Sequence, residues 1–231
     1  MYFRPEVPLM SDRLYPRAMS GSSKIIIAGA GGHGREIACV VSSTRARLAG
    51  FVDDGEPDWG ALSRMGATFL GKLSDLSRLG REFEDSQIVL GVGSGAVRRT
   101  LAARIPSSRV ADPIIDQMSS VGLDVRLSKG VVIFAQATVT TNIELGEHSH
   151  IGRGAAVGHD STLGSYVTVM PLASVSGNVT IGSGATIGAG AVVRQGQSIG
   201  DDAYIGAGAV VVGDVPAGAV MVGNPARPLV R

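Results

Sequence analysis

Ile151-Gly-Arg-Gly-Ala-Ala-Val157-Gly-His-Asp-Ser-Thr-Leu163-Gly-Ser-Tyr-Val-Thr-Val169 carries an aliphatic residue at every sixth place. Followed in both directions, the column runs unbroken from Ile115 to Val211, seventeen positions without an insertion. Glycine follows the aliphatic at nine of the seventeen, and two places before it Ala, Ser or Val predominates. A period of six suits neither a 3.6-residue helix nor a simple alternating strand. It suits a three-sided parallel coil in which each hexad is one short strand and a turn. Eighteen residues then complete a circuit, and each aliphatic side chain stacks on the axis over the one eighteen places before. Stacked coils would pair through their backbones at a spacing of ~4.8 Å. The narrow prism has room for small residues at its corners and little for rings. This accounts together for 33 glycines in 231 residues and an aromatic content of 4%. Asn142, Asp160 and Asn178 stand eighteen apart and are expected to form a ladder at one corner.

Ahead of the repeat the pattern changes. Ile25-Ile26-Ile27-Ala28 reads as a buried strand that enters Gly29-Ala30-Gly31-Gly32-His33-Gly34 and then a helix from about Glu36. Further strands are expected at Leu48 to Val52, ending in Asp53-Asp54, and at Gln87 to Leu90, ending in Gly91-Val92-Gly93-Ser94, before a helix from about Ala96 to Ile105. Alternating strands and helices predict a parallel sheet with right-handed crossovers. The two glycine-rich turns and the acidic pair all fall at the carboxyl edge of that sheet, where such folds bind ligands. A helix N-terminus behind a glycine turn suits a phosphate. Under ninety residues is half a dinucleotide fold, so one nucleotide fits better than NAD. The bland alternative is a tight turn with surface aspartates. The expected division is a leader over 1–23, an α/β domain over 24–111 and the coil over 112–231.

Twenty-one Lys and Arg against 20 Asp and Glu leave a net charge of +1, which gives no support to nucleic-acid binding. The single cysteine, Cys39, excludes an internal disulfide framework. No apolar run is long enough to span a bilayer and no secretory h-region is visible, so the cytoplasm is the expected compartment. His148 and His150 lack the acidic or cysteine companions of a metal site and read as surface histidines of a turn. No metal is expected. His159 differs. It stands two places after an inward Val157 and is followed by Asp160, so it should point outward beside a carboxylate, as a general base does.

The coils, His159-Asp160, the ending Asp214-Val-Pro-Ala-Gly and Gly223-Asn-Pro-Ala-Arg227, and the leading glycine turn resemble one family. It is the nucleotide-sugar N-acetyltransferase branch of the left-handed β-helix, hexapeptide-repeat acyltransferases. The resemblance implies a homotrimer with acetyl-CoA in a groove between neighbouring prisms, and acetyl transfer to the 4-amino group of a UDP- or GDP-linked sugar. It implies His159 as base and Asp160 as the residue that raises its basicity. It implies nucleotide contacts from Gly31, Gly32, His33, Asp53, Asp54 and Gly93, and acetyl-CoA contacts near Gly177, Ala189 and Ala207. Some members carry a second histidine near the cofactor where this chain has Thr168, and Gly152 replaces an Asn of one pattern. An O-acetyltransferase of sialic-type sugars and a non-catalytic nucleotide-binding trimer are the alternatives. Nothing in the sequence supplies the residues for hydride transfer.

Overall fold

The computed structural model describes residues 23–78 and 80–229; the expected leader over 1–23 lies almost wholly outside them. Among the described residues the first elements are strand β1 (Lys24–Ala28), helix α1 (Gly32–Ser42), strand β2 (Arg47–Val52), helix α2 (Trp59–Arg64), strand β3 (Phe69–Gly71), strand β4 (Gln87–Leu90) and helix α3 (Gly95–Ala102). The sheet order is β3-β2-β1-β4, parallel throughout. β3 is an edge strand beyond the three expected, and α3 ends three residues earlier than expected.

Alternation along β1 sorts the core. Ile25 and Ile27 face α1, whose Ile37, Val40 and Val41 are buried against them, while Ile26 and Ala28 face a second cluster with Leu73, Leu76 and Ile105. Ile114, Val132 and Phe134, outward-facing residues of the first coils, belong to the α1 cluster. The two parts of the chain therefore share this cluster, beside the separate axial core of the prism.

From Ile114 onward the strands are two or three residues long and form three parallel sheets. The first holds Val132–Ile133, His150–Ile151 and Thr168–Val169; the second Thr138–Val139, Ala156–Val157 and Ser174–Val175; the third Ile143–Leu145, Thr162–Leu163 and Thr180–Ile181. Pairing joins residues eighteen apart, as in His150 with Thr168, Ala156 with Ser174 and Thr162 with Thr180. The aliphatic column and the small residues two places before it fill the axis: Ala155, Val157, Leu163, Val169, Ala185 and Ile187 are all buried. Each corner needs a residue in the left-handed region, and these also fall eighteen apart. Asp124, Asn142, Asp160 and Asn178 have φ of 53°, 54°, 58° and 55°. Asn and Asp tolerate that conformation better than other side chains. The parallel coils are those of a left-handed β-helix, and a short antiparallel return, Arg227–Pro228 on Val220–Val222, ends it.

Truncating one axial residue leaves a void that a closed prism cannot collapse. Ile187→Ala should cost about 2–5 kcal/mol in denaturant unfolding at fixed protein concentration, whereas Thr180→Ala, on an exposed strand position, should stay within about 0.5 kcal/mol.

Candidate active site

His159 occupies the corner between the second and third sheets. Its side chain is 54% exposed, and Nδ1 lies 2.7 Å from Oδ2 of Asp160. The other carboxylate oxygen accepts a hydrogen bond from Nδ2 of Asn142, one coil away on the same corner. These two hydrogen bonds, from Asn142 first and His159 second, hold the Asp160 carboxyl below its ordinary pKa. An ionised carboxylate only accepts, so Nδ1 of His159 is the donor in this bond, and Nε2 is the ring nitrogen turned away from Asp160. The ring rests on Gly177, one coil further along. A Cβ at that position would lie 2.5 Å from Nε2, and Gly177 itself is buried. In the single chain, then, Gly177 is the floor under the base.

The glycine turn after β1 is built for close approach. Gly29 has φ +122°, and a Cβ there would meet the Gly91 carbonyl oxygen at 2.7 Å; at Gly34 it would meet the Gly29 oxygen at 1.9 Å. Gly31 and Gly32 face open space, and no side chain caps the N-terminus of α1, so its first amides are available to an anion. Asp53 braces this turn, accepting from the Ala30 amide at 2.7 Å and the Gly55 amide at 2.8 Å. Asp54 accepts from the Leu73 amide and pairs with Arg104. Both aspartates line a cavity of about 220 Å³ with Gly29, Val92, Val97 and Leu101, at the carboxyl edge of the sheet.

A second cavity, about 190 Å³, opens between α1 and the first sheet of the prism, lined by His33, Phe134, His150, Arg153, Thr168 and Pro171 among others. Above Pro171 the same corner continues as the exposed Ala189 and Ala207, eighteen apart and joined by the Gly208 amide on the Ala189 carbonyl. The Thr168 hydroxyl is already employed: it donates to the Gly93 carbonyl at 3.0 Å and accepts from Arg98.

The reading of His148 and His150 as surface histidines is overturned. Both are buried, His148 to 3% and His150 to 1% exposure. His150 Nδ1 lies 2.9 Å from His33 Nε2 with the rings stacked, and His148 stacks on Tyr166. His150 Nε2 and His148 Nδ1 have no partner among the described residues. Burial foremost, then the nearby Arg98 charge, pushes His33 and His148 down to about 4 and His150 well below its ordinary value. Their burial depends on contacts with the other domain, 50 residues away in sequence at Arg98 and 117 at His33, which hexad spacing does not report. Among the described residues no group of His, Cys, Asp and Glu could hold a metal ion, and no helix is long and apolar enough to cross a membrane.

Two domain families match: the PglD N-terminal domain over residues 24–105 and the bacterial transferase hexapeptide (six repeats) over 160–195. The acetyltransferase domain of PglB from Neisseria gonorrhoeae FA1090, solved with acetyl coenzyme A, is 31% identical, with a TM-score of 0.79 over 90% of this chain and 100% of that one. The chain belongs to the nucleotide-sugar N-acetyltransferases of the hexapeptide-repeat superfamily. PerB from Caulobacter crescentus, in complex with CoA and GDP-perosamine, is 28% identical with a TM-score of 0.82, covering 92% of this chain and 99% of that one. WeeI from Acinetobacter baumannii AYE is 28% identical with a TM-score of 0.75, covering 90% and 100%. No curated protein sequence matches the chain.

The buried histidines of this acetyltransferase make its stability depend on pH with a definite sign. Their folded pKa values lie below the ordinary 6.5, so the unfolded chain binds more protons between about 4 and 6.5. Stability is complete above that window and falls as pH drops through it. A thermal midpoint that declines from pH 7 to pH 4, and declines less in His148→Phe, is the expected result of a melting series.

Proposed function

We propose that the protein transfers the acetyl group of acetyl-CoA to the 4-amino group of a nucleotide-linked sugar, with His159 as general base. The exposed imidazole held by Asp160, at 2.7 Å, is the observation that carries this reading. An ammonium is not a nucleophile. The ammonium loses one proton to solvent and the free amine attacks the thioester carbonyl. His159 Nε2 takes the second proton from the nitrogen of the tetrahedral intermediate, and collapse expels the CoA thiolate, to which the imidazolium passes that proton. An amide and a free thiol result. Asp160, fixed in turn by Asn142, keeps the imidazole in the right tautomer and stabilises its protonated form. The only cysteine, Cys39, lies on α1 of the other domain, so direct transfer is favoured over an acyl-enzyme.

The nucleotide is proposed to sit at the carboxyl edge of the small sheet. Its phosphates would meet the amides after Gly31 and Gly32, and Asp53, Asp54 and the 91–94 turn would frame the cavity beside them. PerB, solved with GDP-perosamine, and the PglB domain, solved with acetyl coenzyme A, support both substrates. The small domain packs on the first sheet of the prism, and His159 stands at the corner opposite that face. A sugar held by one copy therefore meets the His159 of a neighbour, which favours a cyclic trimer with acetyl-CoA lying between prisms, along the corner of Ala189 and Ala207. Acetyl-CoA as donor suits a cytoplasmic enzyme.

His159→Asn should lower kcat by about two to four orders of magnitude while the nucleotide sugar still binds in calorimetry; turnover like the wild type would remove the assignment. CoA release from a panel of UDP- and GDP-linked 4-amino-sugars, with a sialic-type hydroxyl acceptor alongside, identifies the acceptor. Gly177→Ala lifts the half-exposed ring without touching the axis. It should leave the melting point nearly unchanged and reduce kcat about tenfold to a hundredfold, the cost of misplacing a base by about 1 Å.

A further inference from the structure

Arg98, on α3, is completely buried, yet no carboxylate among the described residues pairs with it. Its guanidinium is satisfied by carbonyls and one hydroxyl drawn from both domains. Nη1 donates to Val92 O and Gly93 O, both at 2.9 Å, in the turn after β4. On the prism, Nε donates to His148 O at 2.9 Å, and Nη2 to Tyr166 O, Val167 O and Thr168 Oγ1 at 2.9, 3.1 and 3.0 Å. Burying a full charge is costly, and six acceptors converging on one planar fork give it a single geometry. α3 also presses directly on the prism. A Cβ at Gly95 would lie 2.3 Å from the Tyr166 carbonyl oxygen, and Arg99 pairs with Asp202 at 3.0 Å. The opposite side of the same helix, Val97 and Leu101, lines the cavity at the carboxyl edge of the sheet. One helix thus touches the prism with one face and the proposed nucleotide cavity with the other.

We infer that Arg98 is a positioning residue: it fixes the angle at which the nucleotide-binding domain stands on the β-helix, and so where the sugar amine is delivered. This rests on the proposed function. Losing the clamp should leave each substrate bound and each chemical group intact while the two are brought together wrongly. The signature is a fall in kcat that depends on the acceptor being tethered to its nucleotide.

The test compares the wild type with Arg98→Lys, which keeps a charge but not the fork, and with Gly95→Ala, whose Cβ would strike the Tyr166 carbonyl and so shifts α3, carrying an intact Arg98 off its acceptors on the prism. Gly95→Ala carries the test if Arg98→Lys does not fold. With a nucleotide-linked 4-amino-sugar, kcat should fall at least thirtyfold. Affinity for acetyl-CoA should stay within threefold, and affinity for the nucleoside diphosphate should fall far less than kcat. Acetylation of the free, unlinked amino-sugar should also stay within threefold. Undiminished kcat on the linked sugar, or an equal loss on the free amine, overturns the inference. Hydrogen exchange gives a readout that needs no turnover: amides 92–98 and 166–168 should exchange faster in Arg98→Lys. A wild type that acetylates no nucleotide-linked amine would remove the functional reading alone. Exchange unchanged at 92–98 would then be the result that removes the clamp.

Discussion

Every side chain of the prism is placed by the register that lays each residue on the one eighteen positions before it. Backbone pairing fixes that register coil by coil, and the axial aliphatic column enforces it, because a slip of one residue would turn buried methyl groups outward. Anything repeated or altered at a multiple of eighteen is thereby brought into contact. Asn142 reaches Asp160 for this reason, and the His159 ring finds a glycine beneath it for the same reason. In this fold, distance along the chain converts into distance in space by a simple rule.

That rule makes most of the architecture readable in the sequence. The hexad column from Ile115 to Val211 specifies the coil, its three faces and its axial core, and the outward direction of His159 follows from its offset of two from Val157. The β1 turn is readable for another reason: Gly29 and Gly34 stand where a Cβ would strike backbone, a requirement that local sequence states directly. What stays hidden is whatever the two domains do to each other. His148 and His150 have the look of turn residues until α1 and α3 cover them. Arg98 has the look of a solvent-facing residue on a short amphipathic helix until the prism supplies four of its six acceptors. Neither periodicity nor motif encodes a contact whose halves lie fifty to a hundred and seventeen residues apart. Asp53 is legible as a residue of the glycine turn, and its oxygens hold that turn in shape, a bond that motif spacing does not report.

The seam between the domains is chemically unusual. It holds a guanidinium and three imidazoles, with Glu36 at its margin as the carboxylate that opposes the depression of His33. Uncharged histidines are compatible with a buried Arg98 where charged ones would not be, and Arg98 in turn helps keep them uncharged. Apolar packing of Ile114, Val132 and Phe134 against α1 supplies adhesion, which is non-directional. Direction comes from the polar groups. A hydrophobic contact alone would let the small domain rock on the prism, whereas a planar fork with six acceptors admits one orientation.

The corner of Asn142, Asp160 and Asn178 shows how structure and chemistry come to share residues here. Left-handed turns elsewhere in the prism are taken by Gln136, His148, Tyr166 and Leu172, but at this corner they fall on Asp124, Asn142, Asp160 and Asn178, so a carboxylate or carboxamide stands one residue after the place where a histidine would face outward. Asp160 meets a conformational need with φ of 58° and, in the same position, orients the neighbouring imidazole. Asn142 meets the need one coil below and steadies the carboxylate. The base therefore requires only one residue, His159, beyond what the fold already demands, and a site of this kind can arise at a corner of the prism without disturbing its axis.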